Sequence, residues 1–409
     1  MPAGRLGRRF MLFIVVLVAF ATFAGYRYDL HKSFIDASHI PSPSGPSRII
    51  PHFHAAGIDF DEKICKLHGW EAREVKDGRE VWDALIFDGE LDLLEIRMRE
   101  LDDVVDKWFI LESNRTLNGQ PKPLHFAEAQ YTHRFSRFSD RIVYRSLLGH
   151  ASSSSSPASQ NYFKGNNNHD RHTSNTWEAR QRSALTSLIK TRVSNLHRAP
   201  LVIMSNVDEI PSAHTISLLR SCVFERSLSG TRDFGNGDIG GNDGYGGKNM
   251  IGGGVLHLEM KQYLYSFEWP TGIRSWRAQV HEWGDHTVYT HDLSPHGGGV
   301  MLADAGWNCV FCLRRLEDFK AKLLGYSERD PSLSLDSIQM AVCEGKDILK
   351  VIPEANSGYC QQYKDFMKKI NLKPSMSAVG LPRYLIENAD KFGYMLPGGC
   401  VRDSDEVML

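Results

Sequence analysis

The sequence predicts an α/β fold with buried parallel strands, and three stretches carry that expectation. The first is Leu201-Val-Ile-Met-Ser-Asn-Val-Asp-Glu-Ile-Pro211, where an apolar run stops abruptly at two adjacent carboxylates and a proline. Four consecutive apolar residues suit a strand buried on both faces, because a surface strand alternates with polar residues. The second is Ala84 to Leu111. A short apolar strand, Ala84-Leu-Ile-Phe87, leads into Leu91, Leu94, Met98 and Leu101 at helical spacing, and Val104 to Leu111 resumes strand character. Glu95 and Arg99 are spaced as an i,i+4 pair on that helix. The third is Arg141 to Arg145, a further strand, followed by an amphipathic helix through Trp177, Leu185, Leu188, Ile189, Val193 and Leu196 that feeds the Leu201 strand. Strands alternating with helices are the pattern of βαβ units.

In such sheets the ligand crevice lies beyond the carboxyl ends of the strands, so Asp208 and Glu209 are placed to hold a cation against a bound phosphate. The plainer reading is a turn that caps the next helix, with Ser212 or Asp208 as the cap. Glu112-Ser-Asn114 likewise ends a strand in polar groups. Asn114-Arg-Thr116 is also an N-glycosylation sequon, but an asparagine in a crevice is expected to act as a hydrogen-bonding residue.

The chain has 409 residues, 42% of them hydrophobic and 10% aromatic, enough for a large core. Its 48 basic and 49 acidic side chains nearly cancel, and no basic block lies beyond the N-terminus, which argues against nucleic acid as a partner. Phe10 to Gly25 is apolar and uncharged behind Arg5, Arg8 and Arg9. Such a run, about 24 Å long as a helix, predicts a transmembrane signal anchor, with residues 1–9 cytosolic and the remainder lumenal. A cleaved signal peptide ending near Ala19-Phe-Ala21 is the competing reading. Either puts the seven cysteines in an oxidising compartment, where one must stay unpaired or bridge chains; at least one of Cys309 and Cys312 is expected in a disulfide, and the pair is not expected on zinc.

Residues 26–80, with Pro41-Ser-Pro-Ser-Gly-Pro46, read as a stem. A folded domain is expected over 81–400, with low-complexity insertions at 149–172 and 230–254 and a short tail, 401–409. The second insertion holds eleven glycines in 25 residues and lacks the flanking strand and helix of a phosphate loop. Val255 to Met260 and Tyr263 to Trp269 resume strand character. Aromatics among polar groups follow from Trp276 to Asp292, a mixture that suits sugar faces or an ordinary aromatic core.

Several blocks, in order, resemble glycosyltransferase family 17: Glu90-Leu-Asp-Leu-Leu-Glu-Ile-Arg97, Val104-Val-Asp-Lys107, Glu112-Ser-Asn114, Lys122-Pro-Leu124, Val207-Asp-Glu-Ile-Pro211, Tyr265-Ser-Phe-Glu-Trp269, Ala303-Asp-Ala-Gly-Trp307, Cys309 with Cys312, Gly325-Tyr-Ser327 and Leu396-Pro-Gly398. The resemblance implies a GT-A-like, Rossmann-type nucleotide-sugar-binding domain with a mixed sheet, in a type II Golgi protein. It also implies inverting transfer of N-acetylglucosamine from UDP-GlcNAc to a β-linked mannose of a glycoprotein N-glycan, with a divalent metal, Mn2+ or Mg2+. On this reading Asp208, aided by Asn206, holds the metal. Glu90, Arg97, Glu112 and Asn114 line the donor pocket, and Asp304, or failing it Glu268, is the general base on the acceptor hydroxyl. The family commonly carries Asp-X-Asp where this chain has Asn206-Val-Asp208, which removes a charge from the expected metal site. A transferase fold that only binds glycans is therefore the alternative.

Overall fold

The computed structural model describes residues 48–74, 79–116, 121–149, 177–194, 196–224, 255–285, 287–291, 300–324, 334–348, 367–368, 370 and 372–404. The expected anchor at 10–25, Cys360 and both insertions (apart from Gly149) lie outside these residues. Among the described residues no helix is long and apolar enough to cross a membrane.

Twelve strands are described: β1 (Arg48–Ile50), β2 (Glu71–Ala72), β3 (Val81–Phe87), β4 (Lys107–Ser113), β5 (Ile142–Leu147), β6 (Leu201–Met204), β7 (Glu209–Pro211), β8 (Cys222–Val223), β9 (Val255–Leu264), β10 (Ser266–Ser275), β11 (Gln279–Glu282) and β12 (Val300–Val310). The helices that matter for the site are α1 (Glu62–Leu67), α2 (Leu91–Glu100), α3 (His125–Ala129), α4 (Trp177–Val193), α5 (Ala213–Ser221) and α6 (Leu316–Leu324).

The main sheet runs β1-β12-β9-β11-β6-β3-β4-β5, with β10 paired to β9 and β7 to β12. Its β6-β3-β4-β5 half is parallel, and β11 runs antiparallel between β6 and β9. The mixed α/β sheet fits the GT-A-like expectation. From β3 the chain winds outward through β4 to β5, then returns to place β6 on the other side of β3. Strand order therefore reverses between β3 and β6, which is where open α/β sheets bind ligands.

Burial on both faces explains the apolar strands. Val81, Leu85 and Phe87 of β3 join one core cluster with Leu93, Leu94 and Ile96 of α2. Trp82 and Ala84 join another, with Leu185, Leu188 and Ile189 of α4. The period-2 alternation of a strand thus feeds two helical layers. The expected Glu95–Arg99 pair does not form. Glu95 is buried and takes Arg134 and Lys391 instead, each at 2.6 Å, while the Arg99 guanidinium lies 5.5 Å from the Phe138 and Tyr384 ring centres. Charge spacing along one helix could not register partners brought in by other segments.

The expected stem also differs from what is found, since the fold begins well before residue 81. β1 adds to the edge of the sheet by pairing with β12, and a Cys65–Cys222 disulfide ties α1 to the end of α5. Cys65 and Trp70 are buried. At the other end, Arg402 is buried and donates to the carbonyls of Tyr265, Tyr394 and Cys400, so the fold continues past residue 400.

A histidine cluster seats the early segment. His54 stacks on His214 at 3.8 Å, and His52 lies 5.0 Å from His214 and 5.7 Å from His68. Burial lowers the pKa of His52 and His68. Burial, then the neighbouring His54 and His52, pushes His214 down to about 3, with Asp304 opposing and Lys261 adding to the shift. A histidine held neutral in the fold protonates near 6.5 once unfolded. Below that pH the unfolded chain binds more protons than the folded one, so this contribution to stability is present above pH 6.5 and fades as pH falls toward 3. Thermal melts at pH 7.5 and 5.0 should therefore show acid destabilisation that His214→Gln reduces; an identical pH dependence in the variant would refute it.

Candidate functional site

The site is built on the turn after β6. Its frame is Arg97, a residue of α2 whose side chain is wholly inaccessible, as is that of Asp83 on β3. Arg97 donates through Nε and Nη2 to both oxygens of Asp83 at 2.7 and 2.6 Å, through Nη1 to the carbonyls of Asn206 and Glu209 at 2.8 and 2.5 Å, and through Nη2 to Ser205 Oγ at 2.6 Å. A guanidinium has five N–H donors, and all five are used. The structure thus places Arg97 beneath the crevice, gripping the backbone of the turn, and not in the donor-pocket wall where the resemblance put it.

Glu209 is equally committed. Its carboxylate accepts from the Asn206 backbone N–H at 3.1 Å and from Ser275 Oγ at 3.1 Å, and it pairs with His291 Nε2 at 2.6 Å. β7 then pairs antiparallel with β12, Glu209 opposite Asn308 and Pro211 opposite Gly306. A Cβ at Gly306 would meet the Ile210 carbonyl oxygen at 2.2 Å, which explains the glycine there. Ser212, and not Asp208, caps α5, accepting from Thr215 N–H.

Within this fixed turn, two side chains stay uncommitted. Among the described residues, neither the Asp208 carboxylate nor the Asn206 amide makes a hydrogen bond or ion pair, and both residues are half-buried. Burial, opposed by Lys322 and reinforced by Glu209 and Glu90, pushes the Asp208 carboxyl up to about 7. Glu90 sits at the N-cap of α2 with its side chain 8% exposed; Oε1 takes the Lys322 ammonium, and Oε2 is buried without a hydrogen-bond partner. Burial disfavours the ionised Glu90, but Lys322 outweighs it and lowers the pKa. Asp88, just past β3, is exposed and pairs with Lys122 at 3.2 Å.

The remaining candidates fall away from this point. Glu112 is buried and caps α3, accepting from Phe126 and Ala127 N–H at 2.9 and 3.1 Å and from the Tyr144 hydroxyl at 2.9 Å. Asn114 braces Gly149, accepting from its N–H at 2.7 Å and donating to its carbonyl at 3.4 Å. Asp304 sits at a register shift of β12 with a left-handed φ of 49°, 53% exposed, and pairs with Lys261 at 2.9 Å. It lies back along β12 from Cys309, roughly 16 Å at about 3.3 Å per residue. Cys309 N–H is itself bonded to the Asp208 carbonyl, so Asp304 is remote from the Asp208 turn. Glu268 follows the Tyr265 turn at the carboxyl end of β9, on the strand-end side, and accepts from Gly398 N–H at 3.1 Å. Lys322, which the sequence reading passed over, reaches the site from α6. No motif singles it out, and what it faces is set by the packing of α6 and not by its own sequence neighbours.

A family model for glycosyltransferase family 17 matches residues 5–228 and 250–403. The chain belongs to glycosyltransferase family 17. It is 25% identical over 389 residues to proteins named β-1,4-mannosyl-glycoprotein 4-β-N-acetylglucosaminyltransferase from Rattus norvegicus and Homo sapiens, an alignment covering 89% of this chain and 62% of each relative. The Mus musculus protein of the same name is 24% identical. The chain thus spans less than two thirds of the length of these relatives. No solved structure matches significantly.

For this family 17 chain the implied divalent cation can be tested against the residues present. Among the described residues no group of three or more His, Cys, Asp or Glu is placed to hold a metal. What the turn offers is one free carboxylate and one amide oxygen, Asp208 and Asn206. A cation such as Mg2+ takes one or two carboxylates from protein and completes its shell with water and substrate phosphates, so these donors fit on those terms.

Because Asp83 and Arg97 are buried together, removing one partner strands a charge. Arg97→Met should destabilise the protein by about 3–5 kcal/mol in urea unfolding, and adding Asp83→Leu should recover much of the loss. Equal stability of Arg97→Met and the native protein would contradict the bracing role.

Proposed function

We propose that the protein transfers N-acetylglucosamine from UDP-GlcNAc, with inversion, to a β-linked mannose of an N-glycan or a similar acceptor. The observation that carries this reading is an uncommitted carboxylate, Asp208, at the strand-order reversal of a family 17 chain. The names of its relatives supply the sugar and the acceptor. The acceptor oxygen attacks the anomeric carbon, the bond from that carbon to the diphosphate oxygen breaks, and UDP leaves with the electron pair. One base takes the acceptor proton, and no protein nucleophile is needed. We assign that base to Glu268, which lies on the strand-end side, in preference to Asp304. Asp208, with Asn206, would hold a Mn2+ or Mg2+ ion, which when bound neutralises charge on the leaving diphosphate. Glu90 and Asp88 form the β3 side of the same crevice.

We place the protein in the Golgi membrane as a type II protein. The support is the Phe10–Gly25 run behind three arginines, together with disulfides at Cys65–Cys222, Cys309–Cys312 and Cys343–Cys400, which belong to an oxidising compartment.

Asp208→Ala should lower transfer by roughly 100-fold or more without loss of stability, because its carboxylate braces nothing in the fold. Mass spectrometry of glycan products from a panel of sugar nucleotides measures this. Asn206→Asp should tighten Mn2+ binding and leave transfer equal or higher. A wild-type protein that binds glycan but neither binds UDP nor yields product would instead be a glycan-binding protein.

A further inference from the structure

We propose that Lys322 is a binding residue for the donor diphosphate, a fixed ammonium that contacts the phosphate oxygens directly whether or not a divalent ion is present. This rests on reading the Asp208 crevice as the donor site. α6 carries Lys322 there because Leu316, Phe319 and Leu323 anchor the helix in a separate apolar cluster with Phe311 and Tyr265. The lysine lies off that face, 17% exposed, with its ammonium 5.6 Å from the Phe311 ring centre and hydrogen-bonded to Glu90 Oε1. A contact with Phe311 on one side and Glu90 on the other fixes where the charge sits.

Three features argue against a purely structural pair. Glu90 Oε2 is buried and has no hydrogen-bond partner, so the pair leaves its acid half satisfied. A buried ion pair adds little stability over an apolar pair of similar size, so stability alone does not account for this one. Finally, the lysine acts electrostatically on Asp88 and Asp208 as well as on Glu90, so three carboxylates from two chain segments gather around it. Among the described residues, Asp88, Glu90 and Asp208 gather here with Lys122 on Asp88 and His291 paired to Glu209, and a diphosphate entering would be repelled by the acids without a fixed cation. Lysine is a point-charge binder of phosphate, with three N–H donors able to serve Glu90 and a phosphate oxygen together.

Isothermal titration of the full chain with UDP and with uridine, each in EDTA and in Mn2+, tests the proposal. Wild type should bind UDP more tightly than uridine; failure of that comparison refutes the donor-site reading itself, before any variant is considered. Lys322→Met should lose roughly tenfold or more in UDP affinity in both conditions, the size of one lost charge-assisted hydrogen bond, with uridine affinity held within about twofold. Lys322→Arg should restore most of the UDP affinity. The double variant Glu90→Gln/Lys322→Met also removes the carboxylate hydrogen-bonded to the ammonium, so it should fold by circular dichroism and show the same selective loss. UDP affinity within about twofold of wild type in either folded variant lacking the ammonium, or equal losses for UDP and uridine, would overturn the proposal.

Discussion

The buried Arg97–Asp83 pair is the constraint on which the site depends. An ion pair with no solvent access is costly unless every donor and lone pair finds a partner, and Arg97 meets that condition by turning its remaining N–H groups onto the turn after β6. The charge is therefore satisfied only when Ser205, Asn206 and Glu209 are in place. Helix α2, strand β3 and the turn become one unit, and the requirement to neutralise a buried guanidinium fixes the backbone that carries Asp208. Glu209 closes the turn from the other side through His291 and Ser275. What remains free in the turn is free because the surrounding residues absorb every other polar group.

That arrangement explains which parts could be read from the sequence. Leu201 to Met204 was legible as a strand to its exact ends, because an apolar run between a proline and a polar turn has one good solution in a sheet covered on both faces. The β3-α2-β4 unit was legible for the same reason, with strand ends shifted by up to three residues. The segment from residue 48 to 74 was not. Its strands are two or three residues long and exist only through partners far along the chain, β12 and β8, and its one covalent anchor spans 157 residues.

Of the candidate site, the sequence marked the turn after β6 but not which polar groups the fold itself ties up. A polar residue at the end of a buried strand looks the same in sequence whether it faces a ligand or braces a neighbouring loop. Arg97, Glu112 and Asn114 all proved to brace, and the distinction lay in partners such as Phe126 N–H and Gly149 that no spacing rule reveals. Asp304 misled differently: its neighbours in the Ala303-Asp-Ala-Gly-Trp307 block serve strand geometry, Gly306 by admitting β7 and Trp307 by donating to the Gly380 carbonyl. The block is specific because of packing, and its acid is exposed at an irregularity of the strand.

The end of β12 links the two charges that matter most. Cys309 N–H holds the Asp208 carbonyl at 2.9 Å, and the Cys309–Cys312 disulfide closes the turn in which Phe311 adopts a left-handed φ of 56°. Phe311 in turn stacks on Phe319 and lies against the Lys322 ammonium. A C-x-x-C pair that might have read as half a zinc site instead staples one tight turn, whose first residue fixes the acid's backbone and whose third fixes the lysine's surroundings. Neither Asp208 nor Lys322 depends on the other for its place; both depend on this turn. An acid and an ammonium whose surroundings share one covalently closed turn are referred to a common frame.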